Sequence, residues 1–138
     1  MKLAVAQMAW SGAAAVLLAP AMSHEPGATV ETLERVVGEG GELYGVFAAG
    51  AGLVAAYVLR VEQKDAGREG VIVAAGGRLP GYSLIRSILP TIEGQLLDCS
   101  WIRAHTARRG VVRELRLAGY SQREIVMAKG INYGRLKQ

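Results

Sequence analysis

The stretch Val71-Ile72-Val73-Ala74-Ala75-Gly76-Gly77-Arg78-Leu79-Pro80-Gly81 carries the signature of the fold. Its first five residues are wholly apolar, the pattern of a short strand, Val71 to Ala75, buried on both faces. Glycines and a proline then break the run. From Leu84 the apolar residues Ile85, Ile88, Leu89, Ile92, Leu96 and Leu97 recur at helical spacing towards Cys99. A strand, a glycine-rich turn and a helix in succession place unpaired backbone N–H groups and a partial positive charge at the strand's end. Glycine there lets an anion such as phosphate approach the backbone over Gly76 to Ser83. The same glycines also serve as a plain tight connection, and the residues leave both readings open. Pro90 either kinks the long helix or restarts it with proline in the first turn.

Outward towards the N-terminus, Gln63 to Gly70 is polar and charged and reads as a turn. Before it lie two strand-like runs, Glu42 to Ala49 and Leu53 to Glu62. Gly50-Ala51-Gly52 joins them with the positive φ angles a hairpin needs. Val30, Leu33, Val36 and Val37 have helical spacing, with Thr29 as cap and Gly38, Gly40 and Gly41 as the stop. Towards the C-terminus, Trp101 to Thr106 reads as a strand, Arg109 to Ala118 as a helix ending at Gly119, and Arg123 to Ala128 as a last strand.

The N-terminus supports two readings. Lys2, the apolar run Leu3 to Leu18 and Ala19-Pro20-Ala21 resemble a secretory leader. Gln7, Trp10, Ser11 and Gly12 interrupt that run, and it falls short of the ~20 residues of a membrane span. The alternative, favoured here, is a strand from Leu3 to Met8, a buried helix from Trp10 to Leu18 and a stop at Pro20.

The chain of 138 residues has room for one domain, 1–138, and its 51% apolar and 20% charged residues describe a globular chain. Cys99 is the single cysteine, which excludes an internal disulfide. With no Cys or His at ligand spacing around it, no metal site is expected. The net charge of +4 is uneven: residues 101–138 hold nine basic side chains against two acidic ones. Such a surface meets phosphate, an acidic partner or solvent alone. The arginines lack interleaved aromatics and any helix-turn-helix pattern, which argues against nucleic acid.

The order of elements, strand, helix, helix, three strands, helix, strand, helix, strand, predicts an α/β (α+β) fold. Its sheet is mixed and mostly antiparallel, with parallel strands on either side of the long helix. This order resembles the GCN5-related N-acetyltransferase (GNAT) superfamily, whose sheet of about six to seven strands is flanked by about four helices. Two local features carry the resemblance: the strand, glycine-rich loop and helix at 71–84, and the helix Arg109 to Ala118 followed by Gly119-Tyr120. The resemblance implies acetyl-CoA as cofactor and an amine as acceptor. The pantetheine arm would pair with Val73, Ala74 and Ala75 opposite Ile102 to His105. The phosphates would meet Gly76, Gly77, Arg78 and Gly81, with Arg108 or Arg109 nearby.

Two departures stand beside the matches. The family loop reads Gln or Arg, any two residues, Gly, any residue, Gly or Ala, whereas Gly76, Gly77 and Gly81 are spaced differently and Pro80 has no N–H. The tyrosine acid of the family's last helix falls on Leu115, which cannot donate a proton, and its frequent asparagine falls on Arg108. His105 and Tyr120 are the candidate catalytic groups, with Tyr82 and Glu69 also at element ends. His24 is assigned no role. The run His105-Thr106-Ala107-Arg108-Arg109-Gly110 also resembles small acetyltransferase-like proteins of tailed phages. That likeness implies a catalytically silent virion or accessory protein acting through a homo-oligomer or phage structural partners. A cytoplasmic location, in a host cell or virion if phage-encoded, is expected, with no membrane partner.

Overall fold

The computed structural model describes residues 2–22, 27–106 and 108–131. His24 lies outside the described residues. The elements run β1 (Leu3–Met8), α1 (Gly12–Met22), α2 (Val30–Gly38), β2 (Glu42–Ala48), β3 (Gly52–Lys64), β4 (Gly67–Gly77), α3 (Leu84–Gln95), β5 (Trp101–Ala104) and α4 (Arg109–Leu117). Five strands form one sheet in the order β1-β2-β3-β4-β5. All pairs are antiparallel except β4 with β5, which the α3 crossover makes parallel.

The sheet is covered on both faces. On one, α1 and α2 bury Ala14, Leu18, Met22 and Leu33 against Leu43, Ala56, Val58 and Ala74. Ala14, Leu18 and Met22 are spaced four apart, one stripe of a helix that is apolar all round. On the other face, α3 and α4 bury Ile88, Leu89, Ile92 and Leu115 against Val46, Tyr57, Leu59 and Ile72. Leu3 to Met8 and the helix after it are thus integral to the packing, as the second N-terminal reading expects.

Several expectations are corrected. Pro20 does not stop α1, which continues to Met22. A proline in the final turn forfeits one backbone bond, while Leu18 and Met22 hold that turn on the sheet. Residues 63–70 are not a loop: β3 runs to Lys64, β4 starts at Gly67, and Asp65 and Ala66 make the turn. The charged residues there stand on a projecting ribbon in which Gln63 faces Arg68 and Glu62 faces Glu69. α3 is one helix with Pro90 inside it.

The sixth strand expected at Arg123 to Ala128 lies outside the sheet. Ile125, Val126 and Met127 are exposed at 77%, 73% and 89%. Their β propensity finds no ladder, because β5 is only four residues long and its outer edge is unpaired among the described residues. α4 ends as its sequence predicts. Gly119 has φ +97°, its N–H bonds Arg116 O at 3.1 Å, and Tyr120 N–H bonds Leu115 O at 3.0 Å, a Schellman closure.

Candidate active site

Strand β4 contains an extra residue relative to β3. Leu59 faces Ile72 and Val58 faces Ala74, so Val73 is bulged out of register. A bulge bends its strand and increases the local twist. On the other side of β4, pairing with β5 runs from Glu69↔Trp101 to Ile72↔Ala104 and stops. From Val73 onward β4 therefore has β3 as neighbour on one side and a gap on the other. This corrects the expected register: Ile102 stands opposite Gly70, and the strands part at Ile72, three residues before Ala75.

The gap opens into a cleft of about 490 Å³. Its walls include Val73, Ala74, Ala75, Gly76, Gly77, Arg78 and Gly81 from β4 and the following loop, and His105 and Arg108 from the β5–α4 connection. Tyr57, Ile88 and Leu115 close the interior end. Arg109 lies instead on a groove of α4 with Arg113 and Arg116. Tyr120 packs beside the core, and its hydroxyl donates to Glu93 Oε2 at 2.8 Å. Burial, and then that carboxylate, push the Tyr120 phenol well above the ordinary tyrosine range.

The glycines divide into two kinds. A Cβ at Gly76 would lie 2.1 Å from Leu17 O, and one at Gly77 would lie 2.3 Å from Ala55 Cβ. Both belong to β4 and are glycine because α1 and β3 press against the strand. Gly81 is different: its φ is +77° and nothing lies within 4 Å of a Cβ there. Leu79-Pro80-Gly81-Tyr82 is a turn closed by Tyr82 N–H to Leu79 O at 3.0 Å, with proline and glycine where a type II turn demands them. Ser83 then caps α3, its Oγ accepting from Arg86 N at 3.4 Å.

With β4 ending at Gly77, the loop proper is Arg78 to Ser83. It reads Arg, two residues, Gly81, one residue, then Ser83, so the departure in spacing comes from counting Gly76 and Gly77 into the loop. What remains is a serine in place of the final Gly or Ala.

Two residue pairs tie α3 to α4 and the turn that follows it. Arg86 on α3 grips Glu114 on α4 through Nε to Oε2 at 3.0 Å and Nη2 to Oε1 at 2.8 Å. The bidentate guanidinium holds the Glu114 carboxyl below its ordinary value. The Tyr120 to Glu93 bond is the second tie.

His105 belongs to a chain of polar contacts along β5. Glu69, 6% exposed, accepts from Trp101 Nε1 at 2.8 Å and from Arg103 Nε and Nη2 at 3.1 Å each. Arg103, then Trp101, lower the carboxyl's pKa. Arg103 Nη1 lies 2.6 Å from His105 Nε2. Guanidinium only donates, so Nε2 is the acceptor and the neutral ring carries its proton on Nδ1. Glu124 Oε1, 3.5 Å from the same Nε2, is a partner for the protonated ring instead.

Two polar cleft residues, Tyr57 and Thr106, escaped the sequence reading. Tyr57, 2% exposed, stacks on Tyr44 at 5.2 Å and donates to Gln95 Oε1 at 2.7 Å. Burial pushes its phenol up to about 12, so it stays protonated. A tyrosine inside the apolar run Leu53 to Leu59 was the available signal, because a buried hydroxyl requires a partner. Thr106, whose Oγ1 accepts from Arg108 N at 3.1 Å, shapes the opposite wall.

No protein-family model and no curated sequence matches the chain. Solved structures do. A ribosomal-protein-alanine N-acetyltransferase from Brucella melitensis biovar Abortus 2308 superposes with a TM-score of 0.64 over 94% of this chain and 100% of its own, at 11% identity. A predicted acetyltransferase from Clostridium acetobutylicum, solved with acetyl-CoA, gives 0.64 over 94% and 96%, at 10% identity. A GNAT family acetyltransferase from Staphylococcus aureus subsp. aureus USA300_TCH1516 gives 0.58 over 95% and 100%, at 11% identity. The chain therefore has the mixed α+β fold of the GNAT acetyltransferases.

Proposed function

We propose that this protein is an acetyl-CoA-dependent N-acetyltransferase acting on a primary amine. The observation that supports it is the edge of β4 beyond Ile72, which has no strand on its β5 side and faces a cleft leading to the start of α3. An elongated carrier with amides at one end and phosphates at the other suits those residues. Val73, Ala74 and Ala75 would hold the amides, as a strand edge does. The N–H groups at the start of α3, the open face of Gly81, and Arg78 and Arg108 would hold the phosphates. Arg109 contributes positive charge from the neighbouring groove. When bound, acetyl-CoA supplies an activated thioester.

The cleft's own residues supply orientation more than acid–base chemistry. A neutral amine held against the carbonyl carbon forms the C–N bond as the C–S bond breaks, and its surplus proton leaves to solvent or to the departing sulfur. Orientation of this kind is worth roughly 7–11 kcal/mol in favourable cases. With Nε2 taken by Arg103, His105 acts by donating from Nδ1 to the negative charge that develops. Tyr120 is a positioning residue that braces α4 against α3. Calorimetric titration with acetyl-CoA tests the first step: heat and thermal stabilisation support the proposal, and neither at millimolar ligand removes it.

A second reading rests on Ile125, Val126, Met127 and Ile131, all exposed. A catalytically silent module, self-associating or docked in a phage assembly, would cover them. Sedimentation decides: a strict monomer that acetylates counts against this reading.

A further inference from the structure

The lining of the cleft draws on both faces of the sheet. Met22, Ala56 and Ala74 belong to the face covered by α1, whereas Val46, Tyr57, Ile88, Ile92 and Leu115 belong to the face covered by α3 and α4. The α3–α4 end is walled by helices and aliphatic side chains. Tyr57 brings a hydroxyl there, and Gln95 takes it at 2.7 Å. Leu115 stands where the family resemblance implies a tyrosine acid, so an apolar face replaces a phenol. Ile88 and Leu115 each keep 7% of their surface exposed, against 1% for Ile92 and 2% for Tyr57. The end therefore has room for a few carbons and not for a long chain.

Position along β4 connects this end to the reacting carbon. From Gly77 back to Val73 the strand measures ~13 Å, a length comparable to an extended pantetheine arm. A carrier with its phosphates at the start of α3 thus brings its sulfur to the place where β4 and β5 part, beside Ile72. The acyl group then lies at the entrance to the apolar end. A chain carried in on the ligand enters such a closed end, while an acceptor arriving from solvent needs a more open side.

Resting on the acetyltransferase reading, we propose that the α3–α4 end of the cleft is an acyl pocket, and that the donor range extends to CoA thioesters with short aliphatic chains longer than acetyl, butyryl among them. Each added methylene leaves water for contact with Ile88, Ile92 and Leu115. No polar partner is lost, because the Tyr57 hydroxyl keeps its bond to Gln95.

Calorimetric titration of the same protein with CoA, acetyl-CoA and butyryl-CoA tests the pocket without knowledge of the acceptor. Butyryl-CoA should bind about tenfold more tightly than acetyl-CoA, the effect of two further buried methylenes. Leu115→Phe, from the α4 wall, fills the end and should cut that ratio below about threefold. Ile88→Phe does the same from the α3 wall and replaces it if Leu115→Phe fails to fold. Equal or weaker binding of butyryl-CoA, or a full ratio surviving in either folded variant, overturns the pocket and leaves the acetyltransferase reading standing. Absence of binding by all three ligands overturns both.

Discussion

Ile72 and Ala104 form the last rung of the parallel ladder between β4 and β5, and β4 runs on past it to Gly77 with β3 as its neighbour on the other side. The bulge at Val73 falls at the next residue. Bend and parting coincide, so one extra residue in β4 accounts for the cleft. The predictions below follow from that geometry and from the residues around it.

Gly76 is a packing glycine. Gly76→Ala forces a Cβ onto the Leu17 carbonyl, 2.1 Å away, in the α1–β4 contact. The expected cost is about 1–3 kcal/mol, read as a lowered urea midpoint at unchanged slope. Gly81→Ala meets no neighbour, and its cost comes from φ +77° alone, about 1 kcal/mol.

Arg78 and Arg108 sit at the mouth of the cleft and are exposed. Replacing either by alanine should weaken CoA binding about tenfold, and the loss should shrink as salt is raised. Dephospho-CoA, lacking one phosphate, should lose less on the same substitutions. Calorimetry at two ionic strengths measures both effects.

Acid should destabilise the fold in a defined window. Glu69 and Glu114 have folded pKa values below the ordinary 4.5. Each therefore binds its proton less readily folded than unfolded. Their contribution is fully present above 4.5 and is lost as pH falls through the lowered folded values. Unfolding free energy from about pH 7 to about pH 3 should drop below that point, and Glu69→Gln should flatten the drop.

Arg103 occupies Nε2 of His105, and in the proposed function the ring donates through Nδ1. His105→Ala should lower kcat about 100-fold with CoA affinity retained. Arg103→Met releases Nε2 and removes the donor that fixes the tautomer. That variant should lower kcat in the same direction as His105→Ala, with CoA affinity again retained.

Much of this architecture was legible before any coordinates. Thr29 with Val30, Leu33 and Val36 fixed α2, the Gly50-Ala51-Gly52 turn fixed the β2–β3 hairpin, and Gly119-Tyr120 fixed the end of α4, because each is a local rule of capping or turn chemistry. The cleft was legible as a strand, loop and helix around Val71 to Ser83. Its register was not, since a one-residue bulge at Val73 leaves no mark on apolar periodicity. Gln63, Arg68 and Glu69 looked like loop residues because a strand ribbon projecting into water has the composition of a turn. Arg123 to Ala128 looked like a strand because propensity describes the segment and not the length of the edge available to it. The packing demand on Gly76 was not legible either, because it comes from the carbonyl of Leu17, a tertiary neighbour that no local pattern encodes.

Hydrogen exchange across residues 73–78, with and without CoA, tests most directly whether the open edge of β4 holds the carrier. Slowed exchange in that segment, saturating with the calorimetric binding curve, is the predicted result. Binding that leaves exchange over 73–78 unchanged, or protects only the α4 groove, would contradict the account.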